Sequence, residues 1–398
     1  MGAAPAVNPI RDPSAFRRLL VARTVSHVGD GIAVTALVLL VQGTRGTGTA
    51  VGALLLATSL PRFLGPIAGA VVDRVEQRSL MVACDLGQAL LFVVIAWSVP
   101  PFPVLLGLVA AAAALDTLFA PAGRSAVPAL VRPEQMLRAN ALLSVAMNIR
   151  VVLGPVLGGV LVESLGFRGA LGVNALSFVA SAAVLVGLPA LRAEASAVGR
   201  GFLRTALDGL AYAWRHRLLR WLSISLFLGV AFAGLDDVAL VFLVRESLGG
   251  GPIAFGLVSG AYGVGMLAGS LGLSWKGTAA AAGAVFAIGW IASGAGAIVT
   301  GLAPLLAVAA LGQAIAGLGN AFEVVAMDTL VQAHVPRELL GRVFGLMSTA
   351  PYAGHTLAFA AGGFLLELTS PETVFLIAGV GTLLVLLPVL LALRRESS

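Results

Sequence analysis

Gly158-Gly159-Val160-Leu161-Val162-Glu163 returns, with two conservative changes, as Gly362-Gly363-Phe364-Leu365-Leu366-Glu367. The two copies stand 204 residues apart in a chain of 398. The same offset, to within one residue, relates Pro133–Leu137 to Pro336–Leu340 and Ala36-Leu37-Val38 to Ala239-Leu240-Val241. Repetition at half the chain length is the mark of a duplicated unit, so whatever one half builds the other half builds again.

What each half builds follows from the residues around the repeat. The chain is 59% hydrophobic and carries 11% charged residues and 49 glycines, whereas a soluble domain carries about 25% charged residues. A soluble globule is excluded. Apolar runs between charged or Pro/Gly punctuation fall near 16–41, 50–72, 79–99, 104–126, 140–163, 169–188, 219–244, 253–275, 279–300, 304–328, 342–367 and 373–393. At roughly 20 residues per crossing, each run is long enough to span a bilayer as a helix. The runs lack the alternation of barrel strands, and a lipid-exposed backbone must satisfy its own hydrogen bonds, so helices are the expected form. The predicted fold is an all-α membrane protein of twelve transmembrane helices, in two six-helix halves related by pseudo-twofold symmetry. Residues 1–188 form the amino-terminal bundle, 189–218 a linker and 219–398 the carboxy-terminal bundle. Within the linker, Phe202, Leu203, Leu207, Leu210 and Trp214 share one helical face opposite Arg204, Asp208 and Arg215, which predicts an interfacial helix tethering the halves.

Arginine placement sets the expected orientation. With the amino terminus inside, twenty of the 25 basic residues fall on the cytoplasmic side and Arg45, Arg168 and Arg245 outside, leaving Arg62 and Arg150 within spans. Both termini are then cytoplasmic in a multi-pass protein of the plasma membrane. The run from Phe16 is too long for a signal-peptide core, so the first span is expected to be kept. The net charge of +6 is spread over loops, not gathered into the basic, aromatic-rich face of a nucleic-acid binder. Cys84, the sole cysteine, offers neither an internal disulfide nor a paired metal ligand.

Six stretches carry a resemblance. The loop after the second run reads Gly69-Ala70-Val71-Val72-Asp73-Arg74-Val75-Glu76-Gln77-Arg78 and resembles the loop signature of the major facilitator superfamily at Gly69, Asp73, Arg74 and Arg78. Glu76 and Gln77 stand where that signature has glycine and a basic residue, so the turn is expected to differ. The resemblance implies that Asp73 helps latch an inner gate, and glycine would allow close helix contact there. The fifth run holds Arg150-Val151-Val152-Leu153-Gly154-Pro155-Val156-Leu157-Gly158-Gly159, similar to the Gly-Pro, Gly-Gly motif of exporters in the same superfamily. Gly154 and Gly158 form a small-xxx-small face for close packing, and Pro155 frees a backbone carbonyl and allows bending. Gly29-Asp30-Gly31, Leu60-Pro61-Arg62, Pro121-Ala122-Gly123-Arg124 and Ala139-Asn140-Ala141-Leu142 resemble the macrolide-efflux and siderophore-exporter branch, the drug:proton antiporters. The resemblance implies the major facilitator fold, with substrate bound near mid-membrane between halves.

Ionisable residues at mid-depth are costly and face a cavity or one another. Asp30, Arg62, Asp116 and Arg150 lie at such depths in the first half. Arg62, Asp116 and Arg150 sit about ten residues from the cytoplasmic end, about 15 Å at helical rise, so ion pairs among them are one expectation. Asp30 has His27 and Arg23 three and seven residues before it, on one helical face, and a histidine beside a carboxylate suits proton coupling. The second half offers Asp236, Asp237, Glu323 and Asp328 without matching arginines, with His355 and Asn320 nearby in type. An acid excess favours a cation or a proton.

These features lead to a proton-coupled exporter of a hydrophobic or amphiphilic small molecule such as a drug, antibiotic or secondary metabolite, working by alternating access. Its expected partners are that substrate, protons and membrane lipid, with the chain acting as a monomer. An uptake transporter or a lysophospholipid flippase of the same fold is the nearest alternative, and a membrane sensor or scaffold the alternative outside transport. Four histidines, one cysteine and no His-Glu-x-x-His run give no basis for an enzyme, a metal centre or a cofactor.

Overall fold

The computed structural model describes residues 13–72, 74–191, 214–276, 282–335 and 337–396. The expected interfacial helix of the linker and the Asp73 position lie outside these residues. Among the described residues all regular structure is helical. Chain order gives α1 (Pro13–Arg45), α2 (Gly48–Ser59), a 3-10 turn (Leu60–Leu64), α3 (Gly65–Val72), α4 (Gln77–Ser98), α5 (Phe102–Leu130), α6 (Met136–Val186), α7 (Arg217–Ala233), α8 (Leu235–Phe242), a π turn (Leu243–Ser247), α9 (Pro252–Lys276), α10 (Ala282–Gly301), α11 (Leu306–His334), α12 (Arg337–Leu368) and α13 (Pro371–Glu396). Nine helical stretches among the described residues are long and apolar enough to cross a membrane.

Four expected runs take a shape that apolarity alone did not show. The run 50–72 is broken into α2, the 3-10 turn and α3, where Pro61 has no N–H to continue an α-helical ladder. The run 219–244 is interrupted at Gly234, so that Asp236 and Asp237 occupy the first turn of α8. The runs 140–163 and 169–188 join into α6, bent at Gly166, whose φ of 68° and ψ of 178° are open to glycine and to almost nothing else.

Helix α4 shows how the sequence assigns its faces. Met81, Asp85, Gln88, Phe92 and Ile95 recur at three- and four-residue intervals and are buried, while Leu86, Leu90, Val93 and Trp97 on the opposite side are exposed, Trp97 at 84%. The polar groups point inward and the apolar ones outward. That inversion of the soluble pattern is what a lipid solvent demands.

The chain packs as two units. The first comprises, among the described residues, 13–30, 61–150 and 171–191. Its apolar core gathers Leu19, Met81, Phe119, Leu130 and Leu185, and Phe92 of α4 stacks on Phe178 of α6 at 5.9 Å. The second takes 31–60, 151–170 and the described residues from 214 onward. Its core joins Leu222, Phe286, Trp290, Val331 and Val343, with the Phe286 and Trp290 rings 5.7 Å apart.

Within the second unit, the repeat read from the sequence reappears as a duplicated seam. A β-carbon at Gly363 of α12 would lie 2.9 Å from Gly48 O and 3.1 Å from Thr49 Cα of α2, and one at Gly52 would lie 3.3 Å from Gly363 Cα. In the other copy, a β-carbon at Gly159 of α6 would lie 3.1 Å from the Pro252 carbonyl carbon of α9, and one at Gly256 would lie 3.3 Å from Gly159 Cα. Residue 52 answers to 256 and 159 to 363, each pair 204 apart. Backbones meet here with no side chain between them. Polar groups bind the same region: Glu367 accepts from Thr49 N and Oγ1, both at 3.1 Å, and Gln42 Nε2 donates to Glu246 Oε1 at 3.0 Å.

Candidate functional site

The first unit holds a buried polar cluster built on α1. Arg23, 7% exposed, reaches His27 one turn later, with Arg23 Nη2 and His27 Nε2 3.2 Å apart. Arginine has donors only, so a hydrogen bond across this contact requires Nε2 to accept. His27 Nδ1 lies 3.8 Å from Asp30 Oδ2, beyond hydrogen-bond distance, and completes no hydrogen bond. The stripe expected from spacings of three and seven is therefore a contact chain, Arg23 to His27 to Asp30. Arg23 also lies over the Phe119 ring, 5.4 Å from its centroid, in a slot kept open by Gly123. Gly29 provides the matching slot against α6, where a β-carbon would lie 2.6 Å from Asn174 Oδ1.

Two further carboxylates enter the field of Arg23: Asp116 from α5 and Asp85 from α4. Asp116 was expected from the sequence; Asp85 was not. Asp85 is 1% exposed, beside Ser181 of α6. Its position opposite the lipid face of α4, in register with Gln88, was the available signal. Arg62 sits in the 3-10 turn after α2 and Arg150 in α6, both half-buried.

The second unit holds an acid cluster whose described neighbours include a histidine but no arginine or lysine. Asp236 and Asp237 open α8, Glu323 comes from α11, and Tyr262 of α9 lies in the field of all three. Gln313 approaches Asp236, Ser293 approaches Glu323 and His355 faces Asp237. Asp236 and Glu323 are half-buried, while Asp237 is exposed. Gln313 Nε2 and Glu323 Oε1 are buried and complete no hydrogen bond within the protein, which marks a polar interior with unspent hydrogen-bonding capacity. His355 Nδ1 is 2.9 Å from Pro351 O, and Asp328 is exposed. A separate cavity of about 410 Å³ lined by Phe16, Leu130, Arg132, Arg138 and Leu142 contains none of these residues.

The exporter-like motif of α6 divides its contacts. A β-carbon at Gly154 would lie 2.6 Å from Gly31 Cα and one at Gly158 2.7 Å from Thr35 Cβ, both on α1, while Gly159 and the Pro155 carbonyl face α9. In the loop motif, Gly69 is not at a close approach, since a β-carbon there would meet nothing within 4 Å. Arg74 is exposed, and Arg78 Nη1 donates to Leu188 O at 2.9 Å. Glu76, the departure from the loop signature, caps α4 by accepting from the backbone of Arg78 at 3.1 Å and of Ser79 at 2.7 Å. The same carboxylate accepts from Leu191 N at 2.8 Å. Its partial burial pushes the carboxyl up, but the Ser79 hydroxyl and these three N–H groups outweigh it and hold the group below the usual glutamate range.

Comparison with known proteins agrees with this architecture. The transmembrane secretion effector profile matches residues 4–397. The MFS-type transporter YfiS of Bacillus subtilis is 26% identical, over 93% of this chain and 91% of its own. The multidrug efflux pump Tap of Mycolicibacterium fortuitum is 27% identical, over 92% of each. Among solved structures, the nucleoside transporter NupG superposes with a TM-score of 0.75 at 13% identity, covering 96% of this chain and 99% of that one, which speaks to the fold alone. With the profile spanning nearly the whole sequence and relatives aligned end to end, the chain belongs to the transmembrane secretion effector family of major facilitator transporters.

Proposed function

We propose that this secondary transporter exports a hydrophobic or amphiphilic small molecule in exchange for protons, by alternating access between two six-helix halves, with both termini in the cytoplasm. The observation that carries the reading is the Arg23–His27–Asp30 stripe: an imidazole 3.2 Å from a guanidinium and 3.8 Å from a carboxylate, inside a membrane-spanning helix. The cluster of Asp236, Asp237 and Glu323, with His355 facing Asp237, supports substrate or proton binding in the other unit. The efflux role of Tap and the Gly-Pro motif at Gly154, Pro155, Gly158 and Gly159 support export as the direction, and the loop with Asp73 supports an inner latch. The chain acts as a monomer on this reading.

Accumulation in inverted membrane vesicles tests it, with ethidium as the amphiphilic probe. An inside-acid gradient should drive uptake into the vesicles, its collapse should abolish uptake, and Asp30→Asn should keep folded yield while losing the gradient response. Accumulation indifferent to the gradient would remove proton coupling.

A further inference from the structure

The cavity of about 410 Å³ in the first unit contains none of the groups assigned to transport. Its walls come from Phe16 of α1, from Leu130 and Val131 where α5 closes, and from Arg132, Arg138 and Leu142 around the turn into α6. Its depth follows from the sequence. Three apolar runs reach their limits here: 16–41 begins at Phe16, 104–126 closes just before Leu130, and 140–163 opens just before Leu142. The cavity therefore sits at a membrane–water boundary, with hydrocarbon on one side and headgroups on the other.

The lining is divided in the same way. Phe16, Leu130, Val131 and Leu142 supply an apolar wall, and Arg132 and Arg138 supply two exposed guanidiniums. Among the described residues neither arginine has an ion-pair partner. Glu134, in the turn between them, is exposed and does not line the cavity. Gln135 lines it and makes no side-chain cap to α6, so the positive end of that helix dipole lies at the same place. Two guanidiniums with no carboxylate on the lining suit a phosphate, which accepts paired N–H bonds from the arginine fork. A free phosphate would use the guanidiniums and leave the apolar wall in water, whereas a phospholipid covers both. The uncompensated positive lining also repels a headgroup that carries its own ammonium.

We propose that this cavity binds an anionic phospholipid of the surrounding leaflet, its phosphate held by Arg132 and Arg138 and its acyl chain laid against Phe16, Leu130 and Leu142. The seated lipid fills the gap between α1 and the turn from α5 to α6, so it stabilises the folded protein by mass action. The site uses none of the coupling residues and holds for either orientation of the chain, so it stands or falls apart from the exporter reading.

Native mass spectrometry of the full-length protein in detergent, titrated with dioleoyl phosphatidylglycerol or dioleoyl phosphatidylcholine, tests it. The wild type should hold its first phosphatidylglycerol about 30-fold more tightly than phosphatidylcholine, since each guanidinium near a charged surface contributes about fivefold, or about 1 kcal/mol. Arg132→Gln and Arg138→Gln should each lose about fivefold of that preference and the double variant all of it. Arg215→Gln removes an exposed arginine that does not line the cavity and should lose none. Phosphatidylglycerol should likewise raise the thermal midpoint of the wild type and not that of the double variant. An undiminished preference in the double variant, or an equal loss in Arg215→Gln, overturns the proposal. Displacement of the lipid by an equal concentration of glycerol phosphate also overturns it, because the arginines would then serve a free anion. Should the double variant not fold, the two single variants carry the same test, and an unchanged preference in both overturns the proposal equally.

Discussion

Replacing Gly363 by alanine puts a β-carbon 2.9 Å from Gly48 O and 3.1 Å from Thr49 Cα, where ordinary contact begins at 3.4 Å. Both neighbours are backbone, so α2 and α12 must part by about half an ångström, enough to forfeit about a quarter of the dispersion well along the contact. Overpacking of this kind costs about 1–3 kcal/mol. Alanine returns about 1 kcal/mol of helix propensity, and Gly272→Ala isolates that gain, because nothing lies within 4 Å of a β-carbon there. The difference between the two variants should therefore be about 1–3 kcal/mol, and each one to two kcal/mol changes a two-state ratio about 5- to 30-fold. Electron-spin distances between labels at the exposed positions Gly43 and Leu368 would read the seam. Gly363→Ala should enlarge a long-distance population by that factor and lower the midpoint of thermal unfolding, while Gly272→Ala leaves the distances alone. Identical distance distributions and midpoints in the two variants would refute the claim that backbone contact closes this seam.

Other expectations are as specific. Glu76→Ala removes the α4 cap and the Leu191 tether and should cost about 1–2 kcal/mol of stability. Because the folded carboxyl lies below its ordinary value of 4.5, the stabilisation is present above that value and fades as pH falls through the lower, folded one. Denaturation of wild type and Glu76→Gln should thus converge in acid; a constant gap would contradict the assigned cause. Cys84, 1% exposed, should resist maleimide in the folded protein and react on unfolding, and rapid native labelling would place it wrongly. For orientation, cysteine at Arg74 should be labelled from the cytoplasm and cysteine at Arg45 from outside intact cells, with the reverse pattern overturning the proposed topology.

The sequence showed the apolar runs because lipid imposes a uniform requirement on every lipid-facing residue, and such a requirement survives without knowledge of neighbours. It showed the Arg23–His27–Asp30 stripe for a related reason: three residues on one helix are brought together by helical period alone. What it did not show are meetings between helices. Phe119 under Arg23, Asn174 against Gly29 and Ser181 beside Asp85 come from different helices. Asp85 also hid by position, lying only six residues into the run 79–99, where a charge reads as interfacial. The roles in Glu76 were hidden by residue type, since glutamate is an uncommon helix cap, and its bond to Leu191 closes over 115 residues.

The duplicated seam also keeps a record of descent. Positions on the two halves have been free to diverge: the counterpart of the Asp73 loop around Lys276-Gly277 no longer resembles it. The seam has not had that freedom. At Gly159, Gly256, Gly363 and Gly52 the space for a β-carbon is taken by the backbone of a neighbouring helix, so an inherited side chain at any of them would have been rejected by contact before its chemistry mattered. The surviving self-similarity of this chain is densest where two helices touch without side chains, and a search for ancient duplication in other transporters has its best signal at the same kind of place.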